Sequence, residues 1–362
     1  MRPVAGDAPV TADYLKLTCY FGERHRAGSR FLAEALANLY ADAAVEVSVL
    51  LRGVASFGPR HVLRTDQSLS LSEDPPVVVT AVDTAQKMAG LAEQAAAMTT
   101  QGLVTLERIR PVDRQDATTP EVAMLTVYVG RYDRVARQPT HRVVCDILYE
   151  HGFAGATAFL GVDGTRGGQR QQARFFGGNR HVPVMITSVG GAAQVDDAMS
   201  ALRAVVDDPV MTVERAHLCK RDGQLVERPP VLPPADGDGA PLWQKLTIRT
   251  SEATLHDGVP IHRALVRRLY ESAAVSGATA LRGVWGFHGG HKPHGDRLIQ
   301  LARQVPVSTV IVDTPERIAA CFDVVDEVTA EHGLVTSELV PAMVSIDGGE
   351  RLGGTRLARH HF

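Results

Sequence analysis

The sequence predicts an α+β fold built from three tandem domains, each with the element order β-α-β-β-α-β. Two observations support this prediction. Landmarks of the first third of the chain return later, and every copy alternates between the two-residue period of strands and the 3.6-residue period of helices. The length of 362 residues also exceeds one hydrophobic core and suits domains of about 100–150 residues.

The internal repeat is clearest between the first and the last third of the chain. Leu51-Arg52-Gly53-Val54 returns as Leu281-Arg282-Gly283-Val284, and Val82-Asp83-Thr84 returns as Val312-Asp313-Thr314. An offset that stays near about 230 residues predicts two copies of one domain. A more divergent middle copy keeps the glycine in Phe159-Leu160-Gly161-Val162 but lacks the arginine. We predict domains at residues 14–112, 122–219 and 243–344.

The elements of the first copy follow in order. Strands are predicted over Leu15 to Phe21, Val45 to Leu51, Val77 to Val82 and Leu103 to Ile109. One helix covers Phe31 to Tyr40, and a second begins at Asp83-Thr84, which are good capping residues. This order gives a ferredoxin-like sheet with both helices on one face. Three such sheets packed inward around an axis bury their free apolar faces, so we expect a monomer that forms an intramolecular pseudo-trimer.

The segments between and after the copies have a different character. Residues 222–241 contain Pro229-Pro230 and Pro233-Pro234, which predicts a semi-rigid, exposed linker. Residues 345–362 contain Gly348-Gly349 and Gly353-Gly354, which predicts a flexible tail.

Composition excludes several classes of partner. With 38 basic and 41 acidic residues and a net charge of −3, the chain has no field that would attract nucleic acid or an anionic membrane. No apolar run reaches the ~18 residues of a membrane helix, and the start lacks a signal-peptide core. The four cysteines are widely spaced, which predicts reduced thiols and a cytoplasmic location.

Several of these segments resemble the PII-like "domain of unknown function 190" family. The resemblance lies in Leu51 to Val54 with Phe57-Gly58, in Leu71 to Val78, in Val82-Asp83-Thr84 and in Ser276 to His291 of the third copy. It implies the ferredoxin-like fold, a trimeric arrangement and a long mobile loop between the second and third strands. It implies no assigned activity. A membrane transporter or channel is the regulated partner that the resemblance suggests.

PII proteins hold adenine nucleotides in clefts between subunits, using the base of the long loop and a second loop rich in glycine and lysine. This sequence departs from them at the second loop, where it has Thr99 to Leu103 and Ala330 to Leu334. A single glycine does not make a phosphate cradle, and Glu331 repels phosphate. An adenine nucleotide in the PII pose is therefore in doubt, and a small anion or a nucleotide in another pose stays open.

The candidate ligand-binding residues lie where strands enter loops at the expected clefts. Arginine can bind a phosphate or carboxylate with two hydrogen bonds, and glycine lets a ligand approach the backbone. Helix N-termini favour anions. Salt bridges, turn glycines and helix caps are the structural alternatives. The candidates are Arg52, Gly53, Gly58, Arg64, Arg282, Gly283, Gly286, Asp83, Thr84, Asp313 and Thr314. The second copy has lost its arginine and its Asp-Thr pair, so we expect at most two competent sites.

A histidine-rich loop in the third copy suggests a different activity. His288, His291 and His294 are closely spaced, and three imidazoles can hold zinc or copper. Lys292 opposes this interpretation, because it adds positive charge.

Catalytic signatures are absent from the sequence, so we expect no enzyme. The leading hypothesis is a regulatory protein that senses a small anionic metabolite or nucleotide at the inter-domain clefts and contacts a partner through its long loops. The alternatives are a metal-binding protein of the CutA type and a scaffold that binds nothing.

Overall fold

The computed structural model describes residues 14–65, 74–111, 119–172, 182–289, 291–295 and 305–360. The loops predicted to be long and mobile fall partly at 66–73, 173–181 and 296–304, and these segments lie outside the described residues. The described chain has a mixed fold of helices and strands with three repeated regions, as the sequence predicts.

Every repeat has four main strands and two helices. The strands of repeat 1 are Tyr14–Gly22, Val47–Phe57, Pro76–Thr84 and Gln101–Pro111, and its helices are Leu32–Asp42 and Ala85–Met98. The strands of repeat 2 are Val122–Gly130, Gly155–Leu160, Pro183–Gly191 and Val210–Arg215, and its helices are Thr140–Glu150 and Ala192–Val205. The strands of repeat 3 are Trp243–Ser251, Ala278–Arg282, Pro306–Asp313 and Leu334–Val340, and its helices are Ile261–Ser272 and Pro315–Val328.

The main strands have the same antiparallel order in all three repeats: second, third, first, fourth. The helices of a repeat pack on one face of its sheet and form a separate apolar core there. In repeat 1 this core contains the fully buried side chains of Leu36, Tyr40 and Met88. Repeats 2 and 3 each have an equivalent core. Each repeat therefore buries its helix-covered face by itself.

The second strands join the repeats into a closed ring. Val47–Phe57 of repeat 1 pairs with Ala278–Arg282 of repeat 3. The next strand of repeat 3, Trp285–His288, pairs with Gly155–Leu160 of repeat 2. The next strand of repeat 2, Asp163–Arg166, pairs back with Val47–Phe57. Each repeat thus receives a strand from one neighbour and gives one to the other.

The fourth strands form a second closed ring. The end of Gln101–Pro111 in repeat 1 pairs with Val210–Arg215 of repeat 2. His217–Arg221, which follows in repeat 2, pairs with Leu334–Val340 of repeat 3. Ala342–Asp347, which follows in repeat 3, pairs back with Gln101–Pro111. The order of repeats 1, 2 and 3 in this ring is the reverse of that in the first ring, so every pair of repeats is joined at both edges of the sheets.

The C-terminal segment, for which the sequence predicts a flexible tail at 345–362, forms part of a hairpin within its described residues 345–360. Ala342–Asp347 and Glu350–Gly354 form a hairpin. Gly348 and Gly349, with φ of 61° and 101°, form its turn, so these glycines provide a backbone conformation rather than mobility. Beyond the hairpin, Ala358 N donates to Pro341 O at 2.8 Å.

The sheet faces opposite the helices meet at the centre of the molecule, and they are not simply apolar as predicted. Lys16 contacts Glu214 of repeat 2 and Glu107 of its own repeat, the latter at 3.4 Å. Lys245 contacts Glu107 and, at 3.8 Å, Glu338. All five side chains are buried. The lysines lower the pKa of Glu107 although burial opposes its ionisation, so its contacts with Lys16 and Lys245 act as ion pairs, the one with Lys245 between repeats 1 and 3.

Repeat 2 lacks the lysine of this cluster. Met124 stands opposite Glu214 in the register where the other two repeats pair lysine with glutamate. Arg249 of repeat 3 extends into this gap, with its Nη2 3.1 Å from Met124 Sδ and its Nη1 3.0 Å from Thr336 Oγ1. Repeats 1 and 2 have a tyrosine in the register position of Arg249. Three buried glutamates therefore face two lysines and one arginine.

Candidate functional site

Two clefts open where the prolonged second strand of one repeat meets its neighbour. The first cleft lies between repeats 1 and 3, and the histidine cleft lies between repeats 2 and 3. They occupy equivalent places, because Gln101-Gly102-Leu103 in the first corresponds to His332-Gly333-Leu334 in the second. Their polar side chains differ, so we describe them separately.

The first cleft has a volume of about 100 Å³ and a mainly apolar lining. Its walls include the side chains of Phe21, Phe57, Val310, Val312, Met343 and Leu352. Three of the predicted ligand-binding residues line it: Gly58, Arg64 and Asp313. An apolar cleft with a few polar groups is the usual form of a small-molecule site.

Arg64 is held at the edge of this cleft by Asp74. Arg64 Nε lies 3.3 Å from Asp74 Oδ2, and His25 Nε2 lies 3.5 Å from the same oxygen. Arg24 N donates to the other carboxylate oxygen at 2.7 Å. Asp74 therefore holds in place the main cationic group of the cleft and a histidine that the sequence did not identify. His25 Nδ1 in turn lies 2.9 Å from Gln101 O, which fixes the ring against the cleft.

Trp243 places a buried indole N–H beside the first cleft. It lines the cleft, its side chain is 3 % exposed, and its Nε1 has no hydrogen-bond partner within the described part of the chain. Buried donors are nearly always paired with protein, water or ligand. No motif marks this residue, because a tryptophan at the start of a strand is usually a core residue.

The two arginines of the repeated Arg-Gly motif are engaged elsewhere. Arg52 pairs with Glu23 at 2.6 Å, and its side chain is 63 % exposed. Arg282 pairs with Glu252, also at 2.6 Å, in the equivalent place of repeat 3. The salt-bridge alternative thus describes what both residues do in this structure. Neither arginine is among the described residues that line the first cleft.

The glycines of the motif allow the repeats to approach one another. A methyl group added at Gly53 would lie 3.0 Å from Ala280 O of repeat 3, and one at Gly283 would lie 3.2 Å from Ala158 O of repeat 2. Gly286 has φ of 153°, and a methyl group there would meet the backbone of repeat 2 as well. Their structural role is therefore to permit the pairing of second strands between repeats.

The two aspartates of the Asp-Thr motif bind backbone groups. Asp83 accepts from Glu46 N at 2.9 Å and from Thr84 N at 2.7 Å. Asp313 accepts in the same way from Ser276 N at 2.6 Å and from Thr314 N at 2.8 Å. Each aspartate thereby ties the start of a helix to the segment before the second strand. Thr314 also accepts from Arg317 N at 3.4 Å as the helix cap, whereas Thr84 makes no side-chain cap.

The histidine cleft is lined by His288 and His291, and the third predicted histidine, His294, lies next to His288. The ring centre of His288 lies 5.5 Å from that of His291 and 6.0 Å from that of His294. His332 and Asp222, which sequence reasoning did not include, line the same cleft of about 280 Å³. Burial and the neighbouring histidines lower the pKa of His288 to about 4. In the described residues, no three such side chains already surround a metal position.

The junction between repeats 2 and 1 is filled differently. Arg166, at the end of Asp163–Arg166, forms an ion pair with Asp133, and Asp133 also accepts from Gly130 N at 2.8 Å. In the register of the copies Arg166 stands where repeat 1 has Gly58, so a large side chain replaces an open position. The three junctions therefore differ in chemistry although their backbone pairing is equivalent.

These features define a tandem-repeat protein with clefts between its repeats. A model of the domain of unknown function 190 family, described as "Uncharacterized ACR", matches residues 14–111, 122–218 and 243–342. These matches cover well over half of the chain, so the protein belongs to this family and contains three copies of its domain. In the part of the chain that the structure describes, no helix is long and apolar enough to span a membrane.

Proposed function

We propose that the protein is a non-enzymatic, PII-like ligand-binding regulator, built as an intramolecular pseudo-trimer of ferredoxin-like domains, and that its main binding site is the first cleft. The two closed rings of strand pairing support the pseudo-trimer. The shared strand order, second, third, first, fourth, supports the ferredoxin-like assignment. A chain that closes both rings by itself is expected to be a monomer, with the molar mass of one chain in light scattering.

The observation that carries the binding site is the buried Nε1–H of Trp243, which has no hydrogen-bond partner among the described residues. A buried donor without a partner costs about 1–3 kcal/mol, and a ligand acceptor would remove this cost. Trp243 starts a strand of repeat 3, whereas Phe57 and Gly58 come from repeat 1. A ligand that accepts from Trp243 therefore binds between two repeats and stabilises their junction.

The charge of the proposed ligand is inferred from Arg64, a cationic side chain that lines the first cleft. Its guanidinium contacts the carboxylate of Asp74 at 3.3 Å, and its side chain is 18 % exposed. A phosphate or carboxylate can form a charge-assisted hydrogen bond to the same guanidinium. We propose a ligand with a flat or apolar body for the cleft walls and one anionic group for Arg64. Small anionic metabolites and nucleotides meet this description.

Thermal-shift measurements with ATP, ADP, cyclic nucleotides and citrate test this proposal. A ligand that binds only the folded protein raises the midpoint of unfolding by mass action. Trp243→Phe keeps the ring and removes the N–H, and we expect it to weaken binding about fivefold to tenfold. Arg64→Gln removes the charge, and we expect a loss of about tenfold to a hundredfold. Arg52→Gln, which breaks only an exposed ion pair, is the control.

The outcomes separate the alternatives. Binding that is reduced by the Trp243 and Arg64 variants but not by the Arg52 variant supports the first cleft. Equal loss in all three variants contradicts it. If no compound of the panel shifts the midpoint, the ligand-free scaffold becomes the better description. Regulation of a membrane transporter or channel stays a prediction, because the long loops that would contact it lie partly outside the described residues.

A further inference from the structure

The spacing of the histidine rings already suits a shared metal ion. Two imidazoles on one tetrahedral zinc, with Zn–N bonds of about 2.0–2.1 Å, have ring centres on the order of 5 Å apart. The ring centre of His288 is 5.5 Å from that of His291 and 6.0 Å from that of His294. A shift of about 1 Å or a turn of the rings thus brings His288 and either of the other two histidines within reach of one ion.

The hydrogen bonds of His294 favour a metal-binding tautomer. Its Nδ1 lies 2.8 Å from Lys292 O, so Nδ1 carries the proton and donates to this carbonyl. Its Nε2 then has a free lone pair, and this atom is buried without a hydrogen-bond partner in the described chain. A backbone carbonyl behind the ring is the usual support of a metal-binding histidine. His288 Nδ1 is likewise buried and has no partner there.

Further donors face these histidines from the other wall of the cleft. His332 precedes the fourth strand of repeat 3, and Asp222 follows the strand His217–Arg221 of repeat 2. A methyl group at Gly289 would lie 3.3 Å from Asp222 Oδ1, so this carboxylate lies close to the turn that carries the histidines. Imidazole with one carboxylate is a donor set that suits zinc and similar divalent metals.

We infer that the histidine cleft binds one divalent transition metal through His288, His291 and His294, with Asp222 or His332 as the fourth ligand. The described donors do not yet surround one point. Binding therefore requires the exposed side chain of His291 to turn toward the other two rings. With Asp222, which follows the last strand of repeat 2, as the fourth ligand, the metal would link repeats 2 and 3.

Zinc binding to the full chain, measured by equilibrium dialysis with zinc alone, tests this inference. We expect one zinc ion per chain, with affinity reduced more than tenfold in His291→Gln and in His294→Gln. His61→Gln is the matched control, because His61 has the equivalent position in repeat 1 but stacks on Phe57 with ring centres 5.9 Å apart. His294→Cys keeps a zinc ligand at the same place and should retain most of the affinity.

Cobalt adds a spectroscopic readout, since tetrahedral Co²⁺ has strong visible bands that the His294→Gln variant should lose. Circular dichroism of each metal-free variant shows whether it is folded. No zinc bound to the wild-type chain overturns the inference. So does an affinity that is unchanged in both histidine variants, or one that falls equally in the His61 control. Binding retained by the His291 and His294 variants but lost in His360→Gln would assign the metal to the C-terminal histidines instead.

Discussion

Arg249→Tyr tests whether the buried ionic cluster depends on its balance of charges. The variant gives repeat 3 the tyrosine that the other repeats carry, and it leaves three buried glutamates facing only Lys16 and Lys245. Removing one partner from a buried ionic group costs about 3–5 kcal/mol. We expect Arg249→Tyr to lower the free energy of unfolding by about 3 kcal/mol. Met124→Lys, which adds a fourth cation, should lower it by a similar amount.

The double variant Met124→Lys/Arg249→Tyr should recover most of this loss. It gives all three repeats the same buried lysine, glutamate and tyrosine, so three lysines again face three glutamates. We expect its free energy of unfolding to lie within about 1–2 kcal/mol of the wild type. The coupling energy between the two substitutions is then at least about 3 kcal/mol.

Urea denaturation at pH 7, followed by circular dichroism and tryptophan fluorescence, measures these free energies. A double variant as unstable as the sum of the single variants refutes the charge-balance argument. A pH series adds an independent check. Burial raises the pKa of Glu214 in the wild type, and in Arg249→Tyr we expect a glutamate without its cation to behave likewise. A carboxyl group whose pKa is higher in the folded than in the unfolded state favours folding as the pH falls toward about 4.5. The loss of unfolding free energy caused by Arg249→Tyr should therefore become smaller between pH 7 and pH 5.

Three further predictions concern other parts of the fold. Gly53→Ala should lower the free energy of unfolding by about 1–3 kcal/mol, because its methyl group meets Pro76 and repeat 3. Gly90→Ala, in a helix with free space around it, should raise the free energy of unfolding by up to about 1 kcal/mol. Equal effects of the two variants in urea denaturation would contradict this. Burial lowers the pKa of His141 to about 4, so the contribution of the neutral imidazole to stability is present above pH 6.5 and is lost as the pH falls toward 4. His141→Gln should flatten this part of the profile of stability against pH. A profile that stays unchanged in this variant would contradict the prediction. The described free cysteines are all buried, and burial raises the pKa of each thiol: Cys19, Cys145, Cys219 and Cys321. A thiol reagent should therefore label them only after unfolding, and fast labelling of the native chain would disprove this.

The repeated domain could be predicted from the sequence because its landmarks are local. Gly53 and Gly283 lie in the same short motif, and Asp83 and Asp313 start equivalent helices, so a constant offset reveals them. Strand periods and capping residues then give the element order within a copy. The family match over three segments confirms that the chain contains three copies of one domain.

The use of these motifs could not be predicted, because their partners lie far away in the sequence. The close neighbour of Gly53 is Ala280 of another repeat, and Lys16 pairs with Glu214 at a separation of 198 residues. Taken by itself, the Arg-Gly motif therefore suggested a ligand site at a position where the structure has strand pairing between repeats. Trp243 belongs to no motif, and the segment Leu71 to Val78 gave no role for Asp74, so only the structure places Trp243 at the first cleft and Asp74 against Arg64.

The substitutions at Met124 and Arg249 indicate what a single chain permits that a homotrimer does not. In a homotrimer, replacing the buried lysine by methionine would occur three times and would leave three glutamates without any cation. In this chain it occurs once, and an arginine in a different repeat fills the gap at 3.1 Å from the methionine sulfur. The same freedom applies to the clefts. Arg166 can fill one junction without closing the other two, and the histidines can gather in one cleft while another keeps apolar walls. If the Met124→Lys/Arg249→Tyr variant proves as stable as the wild type, a symmetric core with three lysines can replace the asymmetric one without loss of stability. The differences among the clefts would then be the feature of the fused chain that selection has reason to keep.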